Sequence, residues 1–450
     1  MRCAWLIGCL VVSTITVVAM VSCGDEKIQV EAVPFPSPKV KPPELIGDAP
    51  LTLVWAAQGG ARLEPCGCAA GMNGGLARRA TIVQRLASAR SVRLELGGWS
   101  GGRAQYQVVR AQHYLRGLTA AGIDVIGLGA AEVQLGSVAL AQLTDARVVC
   151  ANVSGQINLA TSVRLSRGGR NLVVTSVVAE GLSGPGISGP GLTSSDPLPA
   201  LHQIVADAAG ASVVVMADLD AAGLERLARA VPGLSVVVGG AVHDPSPAPL
   251  RVGTTWVMWA ANMGKTVGWW PWGSSTCAFT LADEHVGDDA GVRTQISAYQ
   301  NAVGALGVAD DLRFTGLTAL GVSSGTYVGD QSCAACHPGP ATVHAGSRHA
   351  HSLTVLTAKG YDQDPECLRC HVTGLERSDG FRRALRPAAY DHVTCESCHG
   401  PRSDHVEARR AGRPGPELPP VTPATCQRCH DPENSPRFDY VTYWKRIHHE

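Results

Sequence analysis

Cys333-Ala-Ala-Cys336-His337, Cys367-Leu-Arg-Cys370-His371, Cys395-Glu-Ser-Cys398-His399 and Cys426-Gln-Arg-Cys429-His430 repeat one pentapeptide four times, starting 34, 28 and 31 residues apart. The spacing has a chemical reason. Two thiols three residues apart can each form a thioether to one vinyl group of a haem, and the next His lies on the same helical turn and reaches the iron as proximal ligand. Structural zinc also uses Cys-x-x-Cys, but it needs a second pair at close range and has no use for a His after every second Cys. The four copies therefore predict four covalently bound haem c groups. Around them, from Tyr327 onward, regular strand signals stop and Cys, His, Arg and Pro dominate. Residues 326–450 are expected to be mostly helical or irregular, with porphyrins standing in for a hydrophobic core.

Upstream the pattern differs. Short β-branched runs at 51–55, 92–96, 123–128, 147–151, 212–217, 234–238 and 254–260 alternate with stretches of helical spacing at 75–86, 108–121, 137–143, 200–208 and 224–231. This predicts an α/β sandwich domain over residues 50–282, a sheet covered by helices. A charged, helical connector follows over 283–325. The tryptophans Trp256, Trp259, Trp269, Trp270 and Trp272 fall on adjacent predicted strands and are read as core packing or cover for an interface.

Bulk properties limit the function. The chain has 450 residues, 45% of them hydrophobic, with 38 basic and 38 acidic side chains. Zero net charge gives no electrostatic case for nucleic acid or an acidic substrate. Of the 15 cysteines, eight belong to the pentapeptides and Cys3, Cys9 and Cys23 to the first residues, leaving Cys66, Cys68, Cys150 and Cys277. Arg2 followed by an apolar run that closes on Met20-Val21-Ser22-Cys23 resembles a bacterial lipoprotein signal over 1–22, with Cys23 receiving lipid. The alternatives are an uncleaved anchor and simple secretion. Each places the body on the periplasmic or cell-surface side of a bacterial membrane. Residues 23–49, with Val-Pro-Phe-Pro-Ser-Pro-Lys-Val-Lys-Pro-Pro, read as a semi-rigid tether.

Four segments of the α/β region occur in a telling order. They are Gly74-Gly75-Leu76-Ala77-Arg78-Arg79-Ala80, Ala121-Gly122-Ile123-Asp124-Val125-Ile126-Gly127-Leu128-Gly129, Pro232-Gly233-Leu234-Ser235-Val236-Val237-Val238-Gly239-Gly240 and Asn262-Met263-Gly264-Lys265-Thr266-Val267-Gly268. Together they resemble the 5′-nucleotidase branch of the calcineurin-like metallophosphoesterases. That resemblance implies a two-metal site of Asp, His and Asn ligands, yet those residues are missing. Only Arg62 and Glu64 are charged between Leu51 and Gly75, and the second strand ends in Leu96-Gly97-Gly98-Trp99. Ala130-Ala131 replaces Asn-His with Glu132 remaining, Ala217-Asp218 stands where a His is expected, and Gly240-Ala241-Val242-His243 keeps one His. His243 is read as a leftover or a lone ligand. A phosphoesterase-like fold without phosphoesterase activity is expected. Cys66 and Cys68 would pair in disulfides with Cys150 and Cys277, or hold a soft metal or redox site.

In the C-terminal segment, Tyr327-Val328-Gly329, Ser347-Arg348-His349-Ala350, Val372-Thr373-Gly374, His399-Gly400-Pro401-Arg402-Ser403-Asp404-His405 and Ser435-Pro436-Arg437-Phe438-Asp439-Tyr440 flank the pentapeptides. The segment resembles the cytochrome c-554 type of multihaem protein. The resemblance implies proximal ligation by His337, His371, His399 and His430. It further implies distal ligation by His349, His405 and one of His448 and His449, with His448 the first choice. An iron held by two imidazoles suits electron transfer, to a redox partner protein or a quinone-linked oxidoreductase. The alternative is a multihaem oxidoreductase acting on a small nitrogen or sulfur compound at an open haem.

Overall fold

Side chains alternate across a strand, so a strand buried on both faces feeds two different cores. In Thr52–Ala56, Leu53 and Trp55 enter one core and Val54 another; in Ser212–Asp218, Val214 and Met216 part from Val213, Val215 and Ala217 in the same way. The outcome, in a computed structural model, is two six-stranded sheets packed face to face with helices outside each. Described are residues 51–65, 72–143, 147–187, 189–241, 246, 248–259, 263–307, 325–384, 389–417, 420–432, 434–435 and 437–449. Cys23 with the leader and tether, Cys66, Cys68, His243 and much of the connector lie outside them.

The first sheet runs Ala278–Leu281, Thr266–Pro271, Thr52–Ala56, Ser91–Glu95, Val125–Gly127, Val148–Val149. The second runs Leu250–Val252, Thr255–Trp259, Leu234–Gly239, Ser212–Asp218, Arg170–Val178, Ser162–Arg167. In the first sheet the strands from Thr52–Ala56 to the Val148–Val149 edge run parallel and the pairings at the other end are antiparallel; in the second the middle is parallel and both edges are antiparallel. Parallel neighbours need crossovers, and helices supply them. Leu76–Arg85 and Gln105–Ala120 cover the first sheet, and Pro197–Asp207 and Ala221–Ala230 the second. The helix read as connector, Ala290–Leu306, packs Val292, Ile296, Tyr299 and Val303 into the same core as Tyr114 and Leu118. The α/β sandwich is thus as the sequence predicts. Trp270 is fully buried between the sheets, with Trp256 and Trp272 at 5.5 and 5.6 Å, so this part of the cluster is core.

One polar network crosses the first core. Arg79 pairs with Glu95 at 2.6 Å and donates to the Tyr114 hydroxyl at 2.8 Å, which donates to Glu95 at 3.0 Å. All three are buried.

The C-terminal segment is a string of short helices, from Asp330–Ala334 to Tyr440–Trp444. Its one apolar cluster among the described residues comprises Leu353, Leu356, Leu368, Val372, Leu375 and Phe381. Beyond Phe381, Ala408 is the only buried hydrophobic residue among those described.

Candidate haem sites and the loop cluster at the sheet edge

The loops that follow the parallel strands of both sheets meet at one edge, where α/β folds place their sites. Gly97 lets two of them touch, since a Cβ there would collide with the backbone of Leu128 and Gly129. Two acidic residues at this edge, Glu132 and Asp218, serve the loops themselves. Glu132, fully buried, accepts from the N–H groups of Gly98, Ser100 and Gly129 at 2.8, 2.7 and 2.8 Å. Asp218 accepts from the Ala130 N–H at 2.6 Å. Among the described residues, this edge brings no three His, Cys, Asp or Glu side chains within metal-ligand reach of one another. Glu132→Ala should strand three donors and cost about 2–4 kcal/mol, read as a lower urea midpoint at unchanged slope.

Both cysteines expected to partner Cys66 and Cys68 are free thiols, which corrects the disulfide reading for Cys150 and Cys277. Cys150 is buried beside Asn152, and burial pushes its thiol up to about 11. Its surroundings are set by apolar packing that sequence spacing does not reveal.

In the C-terminal segment each pentapeptide winds as a helical turn. The His337 N–H bonds the Cys333 carbonyl at 2.9 Å, and His430 bonds Cys426 likewise at 2.9 Å. The other two lie in the helices Pro365–His371 and Cys395–His399, capped by Asp364 and Thr394. Cys333 makes a sulfur contact with Cys395, and Cys370 with Cys429. The attachment points therefore come in pairs.

The imidazoles are paired too. His337 faces His405 with ring centres 6.4 Å apart and planes 29° apart; His430 faces His349 at 6.2 Å, and His399 faces His449 at 6.0 Å. Two metal–imidazole bonds of about 2 Å, plus about 1.1 Å from each ligating nitrogen to its ring centre, span about 6.2 Å. The three spacings fit a metal held between the rings. His448, the first choice from sequence, instead packs on Trp444 at 5.2 Å. It follows Tyr440–Trp444 by one turn, so its ring lies over that indole while its neighbour points to His399.

Ring nitrogens are oriented for ligation. His371 Nδ1 meets the Ser352 carbonyl at 2.7 Å and His449 Nδ1 the Ile447 carbonyl at 2.9 Å. A carbonyl only accepts, so Nδ1 carries the proton and Nε2 offers its lone pair. Burial lowers His349 to about 4 and also holds His399 and His430 below the ordinary range, so these rings stay neutral as ligands must.

Residues 332–400 match the family cytochrome c554 and c-prime. That span contains the first three pentapeptides, and the match implies covalent haem c there. Cytochrome c-554 of Nitrosomonas europaea is 30% identical over 104 residues, 19% of this chain and 44% of that protein. The chain thus spans less than half the length of this relative. The α/β region is similar to the 5′-nucleotidase precursor of Thermus thermophilus, with 23% identity, TM-score 0.48 and coverage of 57% of this chain and 59% of that one. It is also similar to the NAD nucleotidase of Haemophilus influenzae, with 12% identity, TM-score 0.45 and coverage of 56% and 60%.

The C-terminal segment is bonded to the α/β sandwich just ahead of Cys367. Tyr106 donates to Glu366 at 2.8 Å, with Arg110 at 3.7 Å, and Arg293 and Tyr361 both reach Glu64. Burial raises the Glu366 carboxyl, but Arg110 and the Tyr106 hydroxyl outweigh it and hold it below the ordinary range. A lowered folded value stabilises above the unfolded carboxylate value, about 4.3, and the gain is lost as pH falls through the folded value. Glu366→Gln should therefore cost about 1–2 kcal/mol near neutrality. The difference from wild type should close as the pH drops below the carboxylate range, followed by denaturation at stepped pH.

Proposed function

We propose that this chain is an extracytoplasmic tetrahaem electron carrier, with the α/β sandwich as a scaffold or docking surface that has no hydrolytic activity. The observation that carries the reading is the facing of His337 with His405, His430 with His349 and His399 with His449 at 6.0–6.4 Å. Bound haem supplies reversible one-electron chemistry at iron. His337 with His405, His430 with His349 and His399 with His449 would each hold one iron between two imidazoles, which would leave no room there for a substrate. Thiols of Cys333, Cys336, Cys367, Cys370, Cys395, Cys398, Cys426 and Cys429 hold the four groups. Paired attachment points and bonding of residues 361–366 to the sandwich fix them relative to one another. Glu132 and Asp218, spent on backbone N–H groups, support the inactive scaffold.

The body would be tethered through a lipid on Cys23, and electrons would pass to a redox partner protein or a quinone-linked oxidoreductase. Haem quantitation with EPR of the ferric protein tests the core of this reading. Four haems with at least three low-spin irons indifferent to cyanide are expected; a high-spin majority would overturn it. Incubation with nucleotides and Mn²⁺ should release no phosphate, and turnover would refute the scaffold role. Cys23→Ser should free the protein from membranes, whereas continued attachment would exclude the lipid.

A further inference from the structure

A cluster of metal-ligating side chains lies among residues that ligate no haem in this reading. Asp330 opens the helix Asp330–Ala334, His344 sits in the last turn of Pro338–Ala345, and His392 precedes Cys395–His399. Their side chains converge, and one ligand atom from each lies within 4.8 Å of the others. His392 Nε2 is 2.8 Å and His344 Nδ1 3.5 Å from the same Asp330 oxygen, Oδ2. Side-chain exposures are 12% for His344, 17% for His392 and 23% for Asp330, so the cluster is shielded without being sealed.

The second nitrogen of each ring is supported from outside the cluster. The outer nitrogen of each ring is already committed. His344 Nε2 meets the Val393 carbonyl at 2.8 Å, and His392 Nδ1 meets an Asp391 carboxylate oxygen at 3.0 Å. Each neutral imidazole carries one N–H, and these acceptors use it. With those protons on the outer nitrogens, the inner nitrogens face one carboxylate oxygen, where either a second ring proton, donated from His392 to Asp330 at 2.8 Å, or a metal ion joins them. Outer nitrogens held by a carbonyl and a carboxylate are also the usual support of histidine metal ligands. The other Asp330 oxygen accepts from the Cys395 N–H at 2.9 Å, which aims Oδ2 inward. Tetrahedral bonds of about 2.0–2.1 Å put ligand atoms about 3.3 Å apart, and the observed 2.8 and 3.5 Å bracket that separation.

We propose that Asp330, His344 and His392 bind a divalent zinc-class ion, with water completing the tetrahedron. Two nitrogens and one oxygen suit Zn²⁺ better than the oxygen-seeking Mg²⁺ or Ca²⁺. The ion would clamp the first haem-binding helix to the chain entering the third.

The test uses the full-length, haem-loaded protein, equilibrated with Zn²⁺, dialysed and analysed for metals. One zinc beside four irons is expected. His344→Ala, His392→Ala and Asp330→Asn should each lower zinc affinity at least tenfold, with haem content and optical spectrum unchanged. His351→Ala, at an exposed position outside the cluster, should keep the zinc. Anomalous diffraction at the zinc edge, on wild-type crystals, should place the ion between the three side chains and needs no variant to fold. No retained zinc, equal retention in the cluster variants, or anomalous density elsewhere would each overturn the proposal.

Discussion

Replacing His405 with alanine should convert one haem iron in four from low-spin to high-spin and open it to cyanide. The His405 ring faces His337 at 6.4 Å across a 29° angle, so its removal takes away one axial imidazole and leaves the proximal one. The same result is expected for His449→Ala at the iron of His399. His448→Ala should leave the spectrum unchanged, because that ring rests on Trp444. Adjacent histidines with opposite outcomes make a sharp comparison, since overall charge and composition change identically. EPR of the ferric variants, with cyanide titration, reads the spin state. A low-spin His449→Ala variant beside a high-spin His448→Ala variant would reverse the pairing described above.

The second large effect concerns the sandwich. Arg79→Met leaves Glu95, at 0% exposure, without its cation, and breaking a buried pair from one side costs about 3–5 kcal/mol. For a domain of this size that lowers Tm by roughly 6–20 °C. Changing both partners, Arg79→Met with Glu95→Leu, should recover most of the loss, because no buried charge is left over. Thermal unfolding followed by circular dichroism, with the haem spectrum as a control, distinguishes the cases. A single variant as stable as the wild type would mean that water reaches the pair.

The parallel strands were legible because both faces are buried and their sequences are almost purely β-branched; 212–217 and 234–238 match the observed strands to within a residue or so. The hairpin Ser162–Arg167 and Arg170–Val178 was not read. Its first strand lies at the edge of the sheet and alternates exposed Arg164 with Val163 and Leu165, which dilutes the apolar signal. The missed clue was Gly168-Gly169, both at positive φ (55° and 75°), between two alternating runs. In the haem segment the attachment residues were plain, since their chemistry needs fixed spacing. The facing of His399 with His449 was hidden, because it depends on where Tyr440–Trp444 ends and which ring the indole captures. Asp330, His344 and His392 form no local pattern and meet only through folding.

The near absence of buried apolar side chains among the described residues after Phe381 has a consequence for biosynthesis. A polypeptide with so little to bury cannot offset the entropy of ordering by itself. The sandwich, with its three apolar cores, can mature on its own schedule, while the tail waits for covalent modification. In cells unable to attach the prosthetic groups, the sandwich would then fold while the tail stayed open to proteolysis. The chain would thus carry its own quality control, in which proteases remove whatever the maturation machinery has left unfinished.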